Sequence, residues 1–545
     1  MRSPRTPFMQ SGVRAFRLGG LAMSLTSFDL GTARVLERIE RLTLGQVFWI
    51  GVLINLAAFG QLAVSNIYTN HTFPNVLLQD FPSYRVMEGR WAQDVLYLLL
   101  GKGATHYLGM FLAIPVQVGN GLLFARLLGR PDNWSRLIAI ALISTYPFVL
   151  DYFSFAGDNL TFVLPTTFAM TALLIGGSSV GSLVAGGVLA AISLSFYQPA
   201  ISTLATVMVA AAFSRAVDSC GDHRAVARQA LRHASVAGLG CVMYLALLRA
   251  IEAGSPLLQA QEHFARRLYT NTLGEAIAQL PLISVDFLER IWHEPNFTFS
   301  GPRVLPACVF GGAALLALYR ATQRKVLPTQ RITLVASAAL WCLLAPIAVY
   351  LSFIISKNSY WHSGRFVVPV TFAIAAAFLV FSKSRMRVRA GLAVAACVLA
   401  FNYIVTDVRI AQFVIMRSQW DQGFANRIVA RMEPMVHDDQ CGSYRIVMIG
   451  QPLMLIPSVP GPRTAFVSME ETSFAPYRQV ELFNYVMGRD CFVMATADDV
   501  KAALATASLR KPWPDTDSVY VARDGLIVVI MEPYSEGRTI VTRVP

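Results

Sequence analysis

Charge is scarce in this sequence. Charged side chains make up 14% of its 545 residues, against about 25% in soluble globular domains. With 54% hydrophobic residues and a mean hydropathy of +0.49, a soluble multidomain protein is excluded. Common signatures of soluble enzymes are missing as well: no GxxxxGK[ST], no HExxH and no CxxC. Phosphate-loop NTPases, zinc proteases of the usual kind and thioredoxin-like redox proteins therefore find no support. No cleavable signal peptide is recognisable, because the first 43 residues are basic and polar and the first long apolar run begins near Leu44. Asp515-Thr516-Asp517 has the DxD form found in nucleotide-sugar enzymes, but three residues in a polar stretch read as a surface turn.

The sequence is rich in apolar blocks long enough to cross a hydrocarbon core of about 30 Å. They lie near 44–64, 104–125, 134–150, 159–176, 182–196, 199–214, 234–252, 304–319, 332–355, 366–382 and 390–406, which predicts about eleven transmembrane helices. A shorter stretch around 95–103 reads as interfacial. The net charge of +13 is gathered in short loops between apolar runs, as expected for orienting spans rather than for holding nucleic acid. Arg2, Arg5, Arg14, Arg17, Arg34, Arg38 and Arg41 precede the first span. Later clusters are Arg126/Arg130/Arg136, Arg215/Arg224/Arg228/Arg232, Arg320/Arg324/Lys325/Arg331 and Lys383/Arg385/Arg387/Arg389. A cytoplasmic N-terminus puts every cluster on the cytoplasmic side and the C-terminus outside. Trp49, Trp134 and Trp341 read as interfacial anchors.

Three regions follow: a cytoplasmic segment 1–43, a membrane region 44–406, and a periplasmic α/β domain 407–545. In the last, 409–435 reads as an amphipathic helix, 444–450 and 491–496 as buried strands, and 479–487 as a helix. Two further strands flank Arg523-Asp524-Gly525, a hairpin signal. Of seven cysteines only Cys441 and Cys491 fall in this exterior domain, where a disulfide between them is expected.

Polar residues suited to chemistry gather in the exterior loops. The first loop holds Asp80, Arg85, Glu88, Arg90 and Asp94; the next turn holds Asp151 and Asp158. Tyr197 and Gln198 sit between two spans, and His362 and Arg365 follow a later one. Ionisable groups at a membrane edge are costly to bury and often functional. The bland reading stands beside this one, with Asp94 and Asp151 as solvated acids and His362 as a structural histidine.

These loops resemble the GtrII-type glucosyltransferases that decorate bacterial O-antigen. The resemblance rests on Asp80…Arg85…Gly89-Arg90, on Phe155-Ala-Gly-Asp158-Asn-Leu160, and above all on Ser193-Leu-Ser-Phe-Tyr197-Gln198-Pro199, and runs from about 75 to 215 and more loosely to 407. It implies a GT-C-like membrane enzyme of the bacterial inner membrane. Such an enzyme takes a sugar, expected to be glucose, from a polyprenyl-phosphate carrier and passes it to a cell-envelope glycan. The chemistry needs a carboxylate to accept the acceptor's proton and cations to neutralise the leaving phosphate. Asp80 is the expected general base, with Asp158 orienting the acceptor or sharing that role. Arg85, Arg90 and Arg365 are the expected phosphate ligands; Asp94, Tyr197, Gln198 and His362 are expected around sugar or acceptor. No cofactor beyond the lipid-linked donor is called for, and no metal: Asp80, Glu88 and Asp94 would allow a divalent ion, but no spacing demands one. A flippase and a polyprenyl-phosphate sugar synthase are expected upstream. Alternatives left open are transfer to lipid A, wall polymer or protein, a lipid-linked glycan flippase or transporter, and a scaffold whose C-terminal domain binds partners.

Overall fold

A computed structural model describes residues 34–65, 67, 89–100, 106–154, 158–177, 179–254, 270–292, 304–356, 364–450, 474 and 479–533. Among them the protein is mostly helical, with a small mixed α/β region at the C-terminal end. Helix α1 (Leu44–Val64) opens on a capping box in which the Thr43 side chain accepts from Gln46 N–H, and the Gln46 side chain accepts from Thr43 N–H at 2.8 Å. Then come α2 (Trp91–Leu100), α3 (His106–Leu127) and α4 (Asn133–Ser144), the last capped by Asp132. A 3-10 turn (Pro147–Val149) and the short α5 (Leu150–Ser154) follow at a bend of 58°. Next are α6 (Asn159–Ile175), α7 (Val180–Phe196), α8 (Ala200–Asp218), α9 (His223–Gly254) and α10 (Leu273–Trp292). The bundle is completed by α11 (Leu305–Ala321), α12 (Pro328–Val349), α13 (Leu351–Ile355), α14 (Gly364–Val367), α15 (Val370–Val380) and the long α16 (Met386–Met432).

Among the described residues, seven helices are long and apolar enough to cross a membrane, or eight with the bent pair α4–α5 counted as one span. Three further apolar helices of 17 residues, α6, α7 and α11, stand where the sequence predicts other spans; at 1.5 Å per residue each is about 25 Å long. The short stretch expected at the interface is the ten-residue α2. Helix α10, which hydropathy does not reveal, lies in the long loop after α9 and packs on α11 and α12. Close packing depends on small residues, as it commonly does between membrane helices. A Cβ on Gly121 of α3 would come within 2.6 Å of the Ile140 Cα in α4.

The basic loops meet at one end of the bundle. Arg130 bonds Asp218 at 2.8 Å, Lys383 reaches the same carboxylate at 3.1 Å, and Arg389 joins Glu40 at 3.3 Å. Two of the expected interfacial tryptophans lie inside instead: Trp134 is 2% and Trp341 1% exposed, whereas Trp49 is 65% exposed. Trp341 stacks between Phe213 and Phe310, which offer its ring more contact than an interface would.

Helix α16 runs 47 residues without a break, about 70 Å at 1.5 Å per residue. It passes straight through residue 407, where the sequence places a boundary, and its end packs against the C-terminal sheet through Phe424, Ile428, Val429 and Met432. That sheet has the order β2-β1-β4-β3, with β1 (Tyr444–Ile449) parallel to both β2 (Phe492–Met494) and β4 (Leu526–Ile530). Strand β3 (Val519–Arg523) pairs antiparallel with β4 through the predicted hairpin. Helix α17 (Gln479–Met487) joins α16 on one face, and α18 (Ala497–Ala507), absent from the sequence reading, covers the other. Cys441 and Cys491 are joined in a disulfide. Asp515 caps a 3-10 turn at Thr516–Ser518.

Candidate functional site

At the end of the bundle away from the basic loops, the distal end, residues from seven helices and the turns beside them converge. Gly89 makes the turn into α2 with φ +74°, a conformation that favours glycine. It also leaves room for Tyr244, whose hydroxyl a Cβ would approach to 2.7 Å. Arg90 follows. Its Nε donates to Gln198 Oε1 at 3.3 Å, and Gln198 Nε2 donates to the Tyr244 hydroxyl at 3.2 Å. The Arg90 guanidinium lies 5.2 Å over the ring of Tyr197. Gln93 secures α2 to the end of α7 by donating to the Phe196 carbonyl at 2.7 Å.

Tyr97, two turns into α2, donates its hydroxyl to the carboxylate of Asp158, the residue that opens α6. Asp94 lies one turn before Tyr97, on the same side of α2. The Asp158 carbonyl accepts from Thr161 Oγ1 at 2.7 Å, which fixes the first turn of α6.

A second cation enters from α14. Arg365 lies 5.9 Å over the Phe162 ring and 5.4 Å over that of Phe366. Tyr197 meets Phe162 edge-on at 5.1 Å and stacks on Phe366 at 5.9 Å, while Tyr152 stacks on Phe162 at 5.5 Å. Tyr152, Phe162, Tyr197 and Arg365 also line a small cavity, with Pro165, Thr166, Ala200 and Pro369 beside them.

Of the residues the sequence singles out, Arg90, Asp94, Asp158, Tyr197, Gln198 and Arg365 are brought to this end. Asp80, Arg85, Glu88 and His362 lie outside the described residues. Among the described residues no three His, Cys, Asp or Glu side chains gather about a common point. One expectation is reversed. Asp151, read as solvated, is fully buried, and its Oδ2 accepts the Arg365 N–H at 3.1 Å. The 58° bend before α5 turns it inward. Tyr97, Tyr152 and Tyr244 are missed by the sequence reading. Spacing offers a hint for the first, which follows Asp94 by three residues; Tyr244 sits in an ordinary apolar span with no local signal.

A family model described as "Glucosyl transferase GtrII" matches residues 75–381, more than half of the chain. The chain belongs to the GtrII glucosyl transferase family. It is thus a glycosyltransferase of the membrane. The matched segment contains every distal-end residue described above and stops short of α16 and the C-terminal sheet. No curated protein and no solved structure matches the chain.

Proposed function

We propose that this GtrII-family enzyme moves glucose from a polyprenyl-phosphate carrier to a cell-envelope glycan such as O-antigen, at the periplasmic face of a bacterial inner membrane. The observation that carries the reading is the pair of guanidinium groups, Arg90 and Arg365, held on aromatic rings around Tyr197. A lipid phosphate becomes a good leaving group when its growing charge is met by cations fixed in advance. Arginine is suited to that task because its planar fork can hold two phosphate oxygens at once. Arg85, in the same loop as Arg90, is assigned to the same phosphate.

A carboxylate must take the acceptor's proton. Asp80 is assigned as that base, and Asp158, oriented by the Tyr97 hydroxyl, as the group that aligns the acceptor or shares the proton. Asp94, Gln198, Tyr197 and His362 are assigned to sugar and acceptor. The ionic ties at the opposite end, where Arg130, Lys383 and Arg389 cluster, support this sidedness, since basic loops tend to stay cytoplasmic. A site outside the cytoplasm has no nucleotide sugar at hand, so a flippase and a polyprenyl-phosphate glucose synthase belong upstream.

The test is transfer in proteoliposomes holding the purified protein, a glycan acceptor, and radiolabelled glucose supplied either on polyprenyl phosphate or as a nucleotide sugar. Transfer from the lipid donor alone is expected, with Asp80→Asn inserted normally and inactive. Transfer from the nucleotide sugar alone would overturn the donor assignment. Full activity of Asp80→Asn would move the base to Asp158.

A further inference from the structure

Helix α5 grips a single residue by both of its backbone polar groups. Asp151 Oδ2 accepts the N–H of Arg365 at 3.1 Å, and the neighbouring Tyr152 hydroxyl donates to the Arg365 carbonyl at 3.3 Å. Both side chains are enclosed, Asp151 at 0% and Tyr152 at 5% exposure. Burying a carboxylate is expensive unless hydrogen bonds and nearby positive charge compensate, and the Arg365 peptide is one of the groups that compensate Asp151. Helix α14, at four residues, Gly364–Val367, is a single turn, and one turn of helix is unstable by itself. The backbone of Arg365 is therefore placed by what packs around it. Helix α5, by contrast, is firmly seated: Phe153 stacks on Phe59 at 4.4 Å, and Phe148, just before it, lies beneath the Arg290 guanidinium at 4.9 Å.

We propose that Asp151 and Tyr152 are positioning residues that clamp the Arg365 peptide and so set its guanidinium for the anionic head of the donor. The proposal rests on Arg365 being a donor-phosphate ligand and adds what holds it there. Asp151 acts as a hydrogen-bond acceptor in this device and takes no proton from the acceptor sugar. Misplacing a charged ligand by about 1 Å can cost about a hundredfold in rate, which gives a buried clamp on the main chain its value. Side-chain stacking on Phe162 and Phe366 then has only the remaining rotation to restrain.

The experiment is a double-mutant cycle on transfer from polyprenyl-phosphate glucose in proteoliposomes, with insertion and thermal stability measured on each variant. Asp151→Leu is expected to slow transfer by about tenfold to a hundredfold. In an Arg365→Ala background the same change is expected to add less than about twofold, because residues that act as one unit are not additive. Asp151→Asn keeps an oxygen that accepts the Arg365 N–H, and is expected to retain most of the activity. Tyr152→Phe removes one hydroxyl and carries the cycle if Asp151→Leu fails to insert; its expected loss is about three- to tenfold. Losses that multiply in the Arg365→Ala background would overturn the clamp. So would Asp151→Asn proving as inactive as Asp151→Leu, which would make Asp151 a proton acceptor. Wild-type activity in Arg365→Ala itself would remove the phosphate-ligand reading, a failure distinct from the other two.

Discussion

Among the described contacts, the two ends of the helical bundle hold the same residue types differently. At the basic end, arginine meets carboxylate. Arg130 is 1% exposed and its guanidinium bonds both oxygens of Asp218, at 2.8 and 3.1 Å, as well as Ser214 at 3.0 Å. Lys383 adds a second cation to Asp218, and Arg320 donates to the Val217 carbonyl beside it. At the distal end Arg90 and Arg365 lie on aromatic rings, Asp151 receives a peptide N–H, and Asp158 receives a tyrosine hydroxyl. Charge neutralised by charge closes helix ends and ties α3, α8 and α15 together. Rings, a peptide and a hydroxyl orient the charged groups of the distal end, whatever further partners they have.

Substitutions at the two ends should therefore separate stability from turnover. Arg365→Ala is expected to lower transfer by about a hundredfold or more with little change in melting temperature, the size typical of removing one fixed charge from a reacting centre. Arg130→Ala should do the reverse. Leaving Asp218 without its buried partner is expected to cost about 3 kcal/mol or more of stability, seen as a lower melting temperature, while transfer per folded molecule stays near wild type. If Arg130→Ala stops transfer in a normally stable protein, the contrast between the ends fails. Asp158→Asn is expected to reduce kcat by about tenfold to a hundredfold, more than Tyr97→Phe, which only frees the carboxylate from one hydroxyl.

The C-terminal domain sharpens the comparison, because its ionic tie is a stabilising one outside the membrane. Burial would raise the carboxyl of Asp499, but hydrogen bonds from Thr496 and Arg523 and the charge of Arg445 overcome that and hold it down to about 2. Across the window between about 4, its unfolded value, and about 2, the unfolded chain binds more protons than the folded one. The contribution is therefore complete above pH 4 and lost as pH falls toward 2. Acid unfolding of this domain, followed by near-ultraviolet circular dichroism, should be shallower over that window in Asp499→Asn. That variant should also be less stable at neutral pH by about 2 kcal/mol, below the range for a fully buried pair because Arg445 and Arg523 are 33% and 46% exposed. The smallest effect is expected of Arg389→Ala, whose contact with Glu40 is partly open to solvent: less than about 1 kcal/mol.

Hydropathy and the positions of arginine made most of the bundle legible, because a bilayer selects apolar length so strongly. The strands 444–449 and 526–530 were equally plain as apolar runs, and the Asp524-Gly525 turn announced its hairpin. Helix α10 was not legible. Its apolar residues Ile277, Leu288 and Trp292 are exposed while Phe287 and Ile291 are buried, and Glu275, Asp286 and Glu289 between them lower its mean hydropathy. Nor was the continuity of α16, since Asp407 and Arg409 change the polarity of the chain without disturbing its helical backbone. At the site, the loop motifs pointed to Arg90, Asp158, Tyr197, Gln198 and Arg365 as neighbours. The burial of Asp151 was beyond their reach: a 58° bend decides which way a side chain faces, and the residues around it spell an ordinary span end.

Whether glucosyl transfer belongs to the end remote from the basic loops can be put to one sided measurement. Right-side-out and inverted membrane vesicles containing the enzyme would be loaded with radiolabelled polyprenyl-phosphate glucose and offered a glycan acceptor that cannot cross the bilayer. Labelling of the acceptor in right-side-out vesicles, and none in inverted ones until they are opened with detergent, is the predicted result. Labelling confined to the inverted vesicles would place the reaction among the basic loops and contradict the account.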